Sequence, residues 1–275
     1  MPAETEVRAG RDRKAREVPA ISAVTLRIFR RVVRSYFRRH FRAVMVRHEE
    51  RLARFDAGFN EPLVVYANHS SWWDPMVSVL LAQELLPGRR HYAPMDAAAL
   101  KKYPILRRIG IFPVEMASAR GAAQFLRTSQ AILASGGVVW ITPQGRFVDS
   151  RETLLGFKPG LGALAARVPG LQLVPLAIEY TFWDERLPET LLCLGETVTI
   201  DVGVGADVAT RELEAALGLV MAELKQAAMG RDAKRFGVLL TGQRGTGGIY
   251  AMGRRLRAWV TGKTMVVDHT QRDDS

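Results

Sequence analysis

The sequence predicts an α/β domain behind a basic, amphipathic helical segment, and three observations carry that prediction. Short apolar runs of strand length alternate with stretches of helical periodicity from about residue 60 to 230. A chain of 275 residues is long enough to bury a sizeable core, and 48% hydrophobic with 24% charged residues excludes wholesale disorder. The net charge of +11 is concentrated early: up to Arg54 there are fifteen Lys or Arg against six Asp or Glu. Such a patch attracts polyanions, either nucleic acid or an anionic membrane surface.

In chain order, residues 1–19 read as a flexible polar leader without the apolar centre of a secretory signal. Residues 20–56 read as basic amphipathic helices. Ile21, Val24, Ile28, Phe29, Val32, Val33, Tyr36 and Phe37 share one broad helical face, with Arg27, Arg30, Arg31, Arg34 and Arg38 opposite. Arg39 and Phe41 break the phase, which suggests a bend or a second helix through about Phe55. The α/β domain is expected over 57–230. Its strands are "EPLVVYA", "RHYAP", "IGIFPV", "GVVWIT", "LQLVPLAIEY" and "LLCLGETVTI". Helices are expected after Asp74-Pro75, over Ala119 to Ala134, over Leu161 to Val168, and over about Val208 to Met229. Residues 231–275 form a basic tail with a glycine-rich loop and no assigned role. No segment approaches the roughly 20 uninterrupted apolar residues that cross a bilayer. The single cysteine, Cys193, lies in an apolar strand, where it reads as a core thiol in a chain suited to a reducing compartment.

The chemistry concentrates in "VVYANHSSWWDP", where His69 leaves a buried strand and Asp74 follows five positions on. A histidine at that exit presents its ring at a pocket rim, with an ordinary pKa near 6.5. A carboxylate one helical turn onward can hold one ring nitrogen and free the other as a base. Asp74 before Pro75 also reads as a plain helix N-cap, and Ser70 and Ser71 as loop hydrogen-bonders.

The block Asn68-His69-Ser70-Ser71-Trp72-Trp73-Asp74 resembles the H-x4-D signature of the glycerolipid acyltransferase family, of which bacterial lysophosphatidic acid acyltransferases (PlsC-like) are typical. Gly110-Ile111-Phe112-Pro113-Val114 resembles the family's second block. Thr142-Pro143-Gln144-Gly145 resembles its Phe-Pro-Glu-Gly block, Phe157-Lys158-Pro159-Gly160 its Phe-Lys-x-Gly segment, and Val174-Pro175-Leu176-Ala177-Ile178 its last block. The four ordered blocks and this segment lie between about Leu63 and Ile200. The resemblance implies a mixed central sheet flanked by helices and acyl transfer from acyl-CoA or acyl-carrier protein to a lipid hydroxyl, by default that of 1-acylglycerol-3-phosphate. It implies His69 as general base oriented by Asp74, with no cofactor and no metal. It also implies a tetrahedral oxyanion held by donors near Gly145.

Two departures concern the acceptor. Glu115-Met116 stands where the second block commonly ends in arginine, and the nearest arginine is Arg120. Gln144 replaces the third block's glutamate, and Arg146 directly follows Gly145 while Phe147 takes the usual arginine position. Gln144, Gly145 and Arg146 are the expected acceptor contacts, and Asn68, Trp72, Trp73, Arg120 and Lys158 the further pocket candidates. A different lyso-lipid, an amino-acid lipid or a glycosylated terpenoid is the alternative acceptor, and a thioesterase or a non-catalytic membrane-binding module the more distant alternatives.

The basic helix suits the plane of a bilayer interface. Ile28, Phe29, Arg30, Arg31, Arg34, Phe37 and Arg38 are the expected contacts with an anionic membrane surface, placing the protein peripherally on the cytoplasmic face. No nucleic-acid partner is expected, because the aromatics lie opposite the arginines rather than among them.

Overall fold

Every residue of Leu63–Ala67 (LVVYA) is buried, as an apolar run covered on both faces requires. Around this strand the computed structural model describes residues 18–243, apart from 57, 59 and 60. The leader up to 17 and the tail from 244, with its glycine-rich loop and second basic segment, lie outside the described residues. The elements run α1 (Ala23–His40), β1 (Ala43–Arg47), α2 (Glu50–Ala53), β2 (Leu63–Ala67), α3 (Asp74–Leu85) and β3 (His91–Asp96). They continue with α4 (Ala97–Lys102), a 3₁₀ turn (Pro104–Ile109), β4 (Ile111–Val114), α5 (Ala119–Ala134), β5 (Val138–Ile141) and α6 (Gly160–Ala165). β6 (Gln172–Thr181), β7 (Glu189–Leu194), α7 (Ala206–Met229), a short 3₁₀ turn and β8 (Gly237–Thr241) complete them.

The eight strands form one sheet in the order β4-β3-β5-β2-β6-β7-β1-β8. The five strands from β4 to β6 are parallel to their neighbours, β7 is antiparallel to β6, β1 parallel to β7, and β8 antiparallel to β1. Side chains alternate between two cores, as the strand period of two dictates. Leu63, Val65 and Ala67 face Val33 and Phe37 of α1 and Val77, Leu80 and Leu81 of α3. Val64 and Tyr66 face Ile132 of α5, Leu161 and Leu164 of α6, and Leu213 and Leu217 of α7. Helices thus cover both faces of a mixed sheet, which is the expected class.

Three expectations from the sequence differ from the structure. The segment after Arg38 is not a second amphipathic helix: α1 stops at His40, and Ala43–Arg47 is an inner strand between β7 and β8. Val44 and Val46 join one core, Ala43 and Met45 another, so both faces are covered and neither period stands out. The sheet therefore takes in part of 20–56. It also takes in β8, from the segment set aside as a tail. The strand expected through Ile200 ends at Leu194, and Val198 returns only as an isolated bridge to Leu173.

The broad apolar face of α1 is divided. Phe37 is buried and so not free for a membrane, and Phe29 is partly buried against the same core. Arg34 pairs with Glu84 of α3, and Arg30 is partly buried. Val24, Ile28 and Val32, spaced by four, remain exposed beside Arg27, Arg31 and Arg38. Among the described residues no helix is long and apolar enough to cross a membrane.

Candidate active site

Three neighbouring parallel strands, β5, β2 and β6, deliver the site at their carboxyl ends, where open α/β sheets place their binding crevices. His69 leaves β2, and its Nδ1 lies 2.9 Å from Asp74 Oδ2. Asp74 is 1% exposed and opens α3. Its carboxylate does not cap that helix: Oδ2 accepts instead from the upstream amides of Ser70 and Ser71, each at 2.8 Å. The N-cap position falls to Trp73, and Pro75 stands in the first turn, where its missing N–H costs nothing. Oδ1 accepts from the Tyr180 hydroxyl at 2.7 Å. Four donors thus converge on one buried carboxylate, and the capping explanation for Asp74 falls away.

An ionised carboxylate has no proton to give, so the shared hydrogen sits on His69 Nδ1 and leaves Nε2 with a free lone pair. Burial, followed by the adjacent Asp74 charge, pushes the Tyr180 hydroxyl far above its ordinary range, and it stays a donor. The phenyl ring of Phe147 stands 4.5 Å from the imidazole, centroid to centroid, with exposed Trp72 beyond it.

The motifs come together because their strands are neighbours. Tyr66 of β2 registers with Ile141 of β5, so the loop Thr142–Gly145 lies beside the histidine loop. Gln144, expected at the acceptor, is 2% exposed, and its Oε1 accepts from the His69 amide at 2.6 Å. An amide oxygen serves that bond as a carboxylate oxygen does, which accounts for glutamine in the glutamate position. Gly145 is held in the left-handed region (φ 59°), with the end of the Lys158 side chain, Nζ included, packed where a Cβ would stand. Its amide closes a turn on the Thr142 carbonyl at 3.0 Å, so this N–H is occupied in the turn rather than free for an oxyanion. The Lys158 amide donates to the Pro143 carbonyl at 2.9 Å, joining the Phe157–Gly160 segment to the Thr142–Gly145 block. Arg146 is exposed on the same loop.

On the other side Asn68 spans to β6: its Nδ2 donates to the Ile178 carbonyl at 3.0 Å, and its Oδ1 accepts from the Ile178 amide at 2.8 Å. Asn68 is buried, so its work is to clamp the histidine loop to β6 rather than to touch a substrate. Asn68→Ala is expected to cost about 2–3 kcal/mol, because two buried backbone groups lose their partners. Urea unfolding checks this; a loss below about 0.5 kcal/mol would contradict the clamp.

The remaining candidates separate. Trp73 packs against Tyr36 and Phe41, at 4.7 and 5.8 Å between ring centroids, as part of the α1 contact. Arg120 opens α5 just after edge strand β4, which stands three positions from β2 in the sheet, roughly 14 Å at ordinary strand spacing. A cleft of about 460 Å³ opens next to the dyad loop, lined by Tyr36, His40, Phe41, Ser70, Ser71, Trp73, Asp149, Ser150, Tyr180, Phe182 and Pro188. None of these residues is a lysine or arginine.

No metal-ligand cluster is evident in the sequence, yet the fold gathers His48, Cys193 and Glu223 with ligand atoms within 4.8 Å. The Glu223 carboxylate already pairs with the Arg47 guanidinium and His48 Nε2, each at 2.9 Å. A cation there would face the guanidinium, so the group is a closed ion-pair network. Burial pushes the Cys193 thiol up to about 12, which keeps it neutral.

A family model described as Acyltransferase matches residues 43–179. The chain carries an acyltransferase-family domain. The match runs from the first residue of β1 to Glu179, two residues before the end of β6, and takes in the His69–Asp74 loop, the Thr142–Gly145 loop and the clamp partner Ile178. The match supports acyl transfer as the chemistry of the domain that holds the dyad. No curated protein matches the chain. Tyr180, which sequence reasoning missed, stands one residue beyond the matched region; its only sequence signal is its place two residues after Ile178, on the same face of β6.

Proposed function

We propose that the acyltransferase moves a fatty acyl group from an acyl-CoA or acyl-carrier-protein thioester to a lipid hydroxyl, by default that of 1-acylglycerol-3-phosphate. The buried Asp74 carboxylate on His69 Nδ1 carries this reading, because it leaves Nε2 as the base. Nε2 takes the proton of the acceptor hydroxyl while its oxygen attacks the thioester carbonyl. The resulting tetrahedral oxyanion collapses, the C–S bond breaks, and the thiolate recovers the proton from Nε2. Asp74 stabilises the imidazolium between the two steps. No enzyme nucleophile is needed, in keeping with the neutral Cys193.

An acceptor without a phosphate monoester is the second reading: another lyso-lipid, an amino-acid lipid or a glycosylated terpenoid. Glu115 and Phe147 in the arginine positions favour it. The exposed Val24, Ile28 and Val32 stripe with its flanking arginines supports contact with an anionic bilayer, each arginine contributing roughly 1 kcal/mol. The working position is then peripheral, on the cytoplasmic face.

The test offers labelled oleoyl-CoA and anionic vesicles carrying either 1-acylglycerol-3-phosphate, another lyso-phospholipid or a glycolipid. Label in phosphatidic acid is the expected default, and label only in another lipid would overturn that acceptor. The protein should sediment with these vesicles and Ile28→Glu should weaken sedimentation; equal binding by the variant would remove α1 from the contact.

A further inference from the structure

We propose that Tyr180 is a positioning residue for acyl transfer, setting the strength of the His69 base through its hydroxyl hydrogen bond to Asp74 Oδ1. The inference rests on the reading of His69 as general base. Oδ2 already receives three donors, from His69 Nδ1, the Ser70 amide and the Ser71 amide. Oδ1 faces the Tyr180 hydroxyl at 2.7 Å, and the carboxylate is shut off from solvent. Asp74 itself is almost without solvent contact, so the charge it presents to the imidazole depends on what Oδ1 receives, and the Tyr180 hydroxyl is the donor seated there. With the hydroxyl in place, part of that charge is taken up by the O–H, and the imidazolium is held less tightly. Without it the carboxylate attracts the imidazolium more strongly, and the ring holds its proton to higher pH.

Other titratable groups line the neighbouring cleft into which Tyr180 faces. α1 contributes Tyr36 and His40, and the loop after β5 contributes Asp149, whose carboxylate is engaged by the Arg151 guanidinium at 2.6 Å. The Tyr180 ring packs 6.0 Å from Phe41, so Tyr180→Phe keeps the shape and removes one oxygen.

The readout is the titration of the His69 imidazole by NMR in the full chain, its signal assigned by its loss in His69→Ala. Tyr180→Phe should raise the midpoint by roughly half to one pH unit, a part of the roughly one to two units that a hydrogen bond to an ionised partner is worth, since the bond acts on the imidazole only through Asp74. 3-Fluorotyrosine at position 180, a more acidic donor, should lower it. The midpoint of His40 should stay in place, and the acid limb of kcat/KM for acyl transfer should follow His69. A His69 midpoint that is unmoved in both variants, or that moves only together with that of His40, overturns the proposal. Wild-type transfer by His69→Ala would instead remove the base reading, while leaving the two NMR shifts to stand or fall separately.

Discussion

Replacing His69 by alanine is expected to lower acyl transfer by about 10²- to 10⁴-fold, the usual worth of a positioned general base. The side chain is 17% exposed and shares its hydrogen bond only with Asp74, so the fold survives its loss. What disappears is the lone pair at Nε2, with the means of removing the acceptor proton during attack. Rates measured on one acyl-CoA and one accepted lipid, beside a thermal melt, separate chemistry from folding. A folded variant that transfers at the wild-type rate would show that proton removal does not pass through His69.

The second large effect is at Asp74, where two substitutions should part company. Asp74→Asn can keep its amide oxygen toward the three donors at Oδ2 and turn its NH2 toward Tyr180, whose hydroxyl can accept as well as donate. Stability should therefore fall by no more than about 1 kcal/mol. The negative charge that supports the imidazolium is gone, and transfer should drop by about 10²- to 10³-fold. Asp74→Ala strands four donors around an empty space and should cost about 3–5 kcal/mol, with activity lost as well. Equal destabilisation by both substitutions, or an Asn variant with full activity, would contradict the division of labour between charge and hydrogen bonding.

The dyad was legible in the sequence because its members sit five residues apart at one strand-to-helix junction, where local geometry alone brings them together. Gln144 was visible as a motif residue, but its real partner was not. That bond exists because β5 lies beside β2, a matter of sheet order that no local pattern carries. Tyr180 escaped for the same reason, since it reaches Asp74 from the next strand over. β1 was hidden by its arginine flanks and by burial on both faces, which erase the alternation that marks a half-buried strand. α1 shows the reverse problem. Its helical period was plain, yet an apolar face wide enough to serve two neighbours does not say where one ends and the other begins. Only the packing of Val33 and Phe37 on α3 and the sheet leaves Val24, Ile28 and Val32 outside.

Direct transfer is tested most simply by stoichiometry. The purified chain is mixed with labelled oleoyl-CoA and a panel of lyso-lipids, free CoA and labelled lipid are counted together, and intact mass is recorded without acceptor. One labelled lipid per CoA released, with no acyl adduct on the protein, is the predicted result. CoA released with no labelled lipid, or an acyl group found covalently on the chain, would contradict base-catalysed transfer by the His69–Asp74 pair.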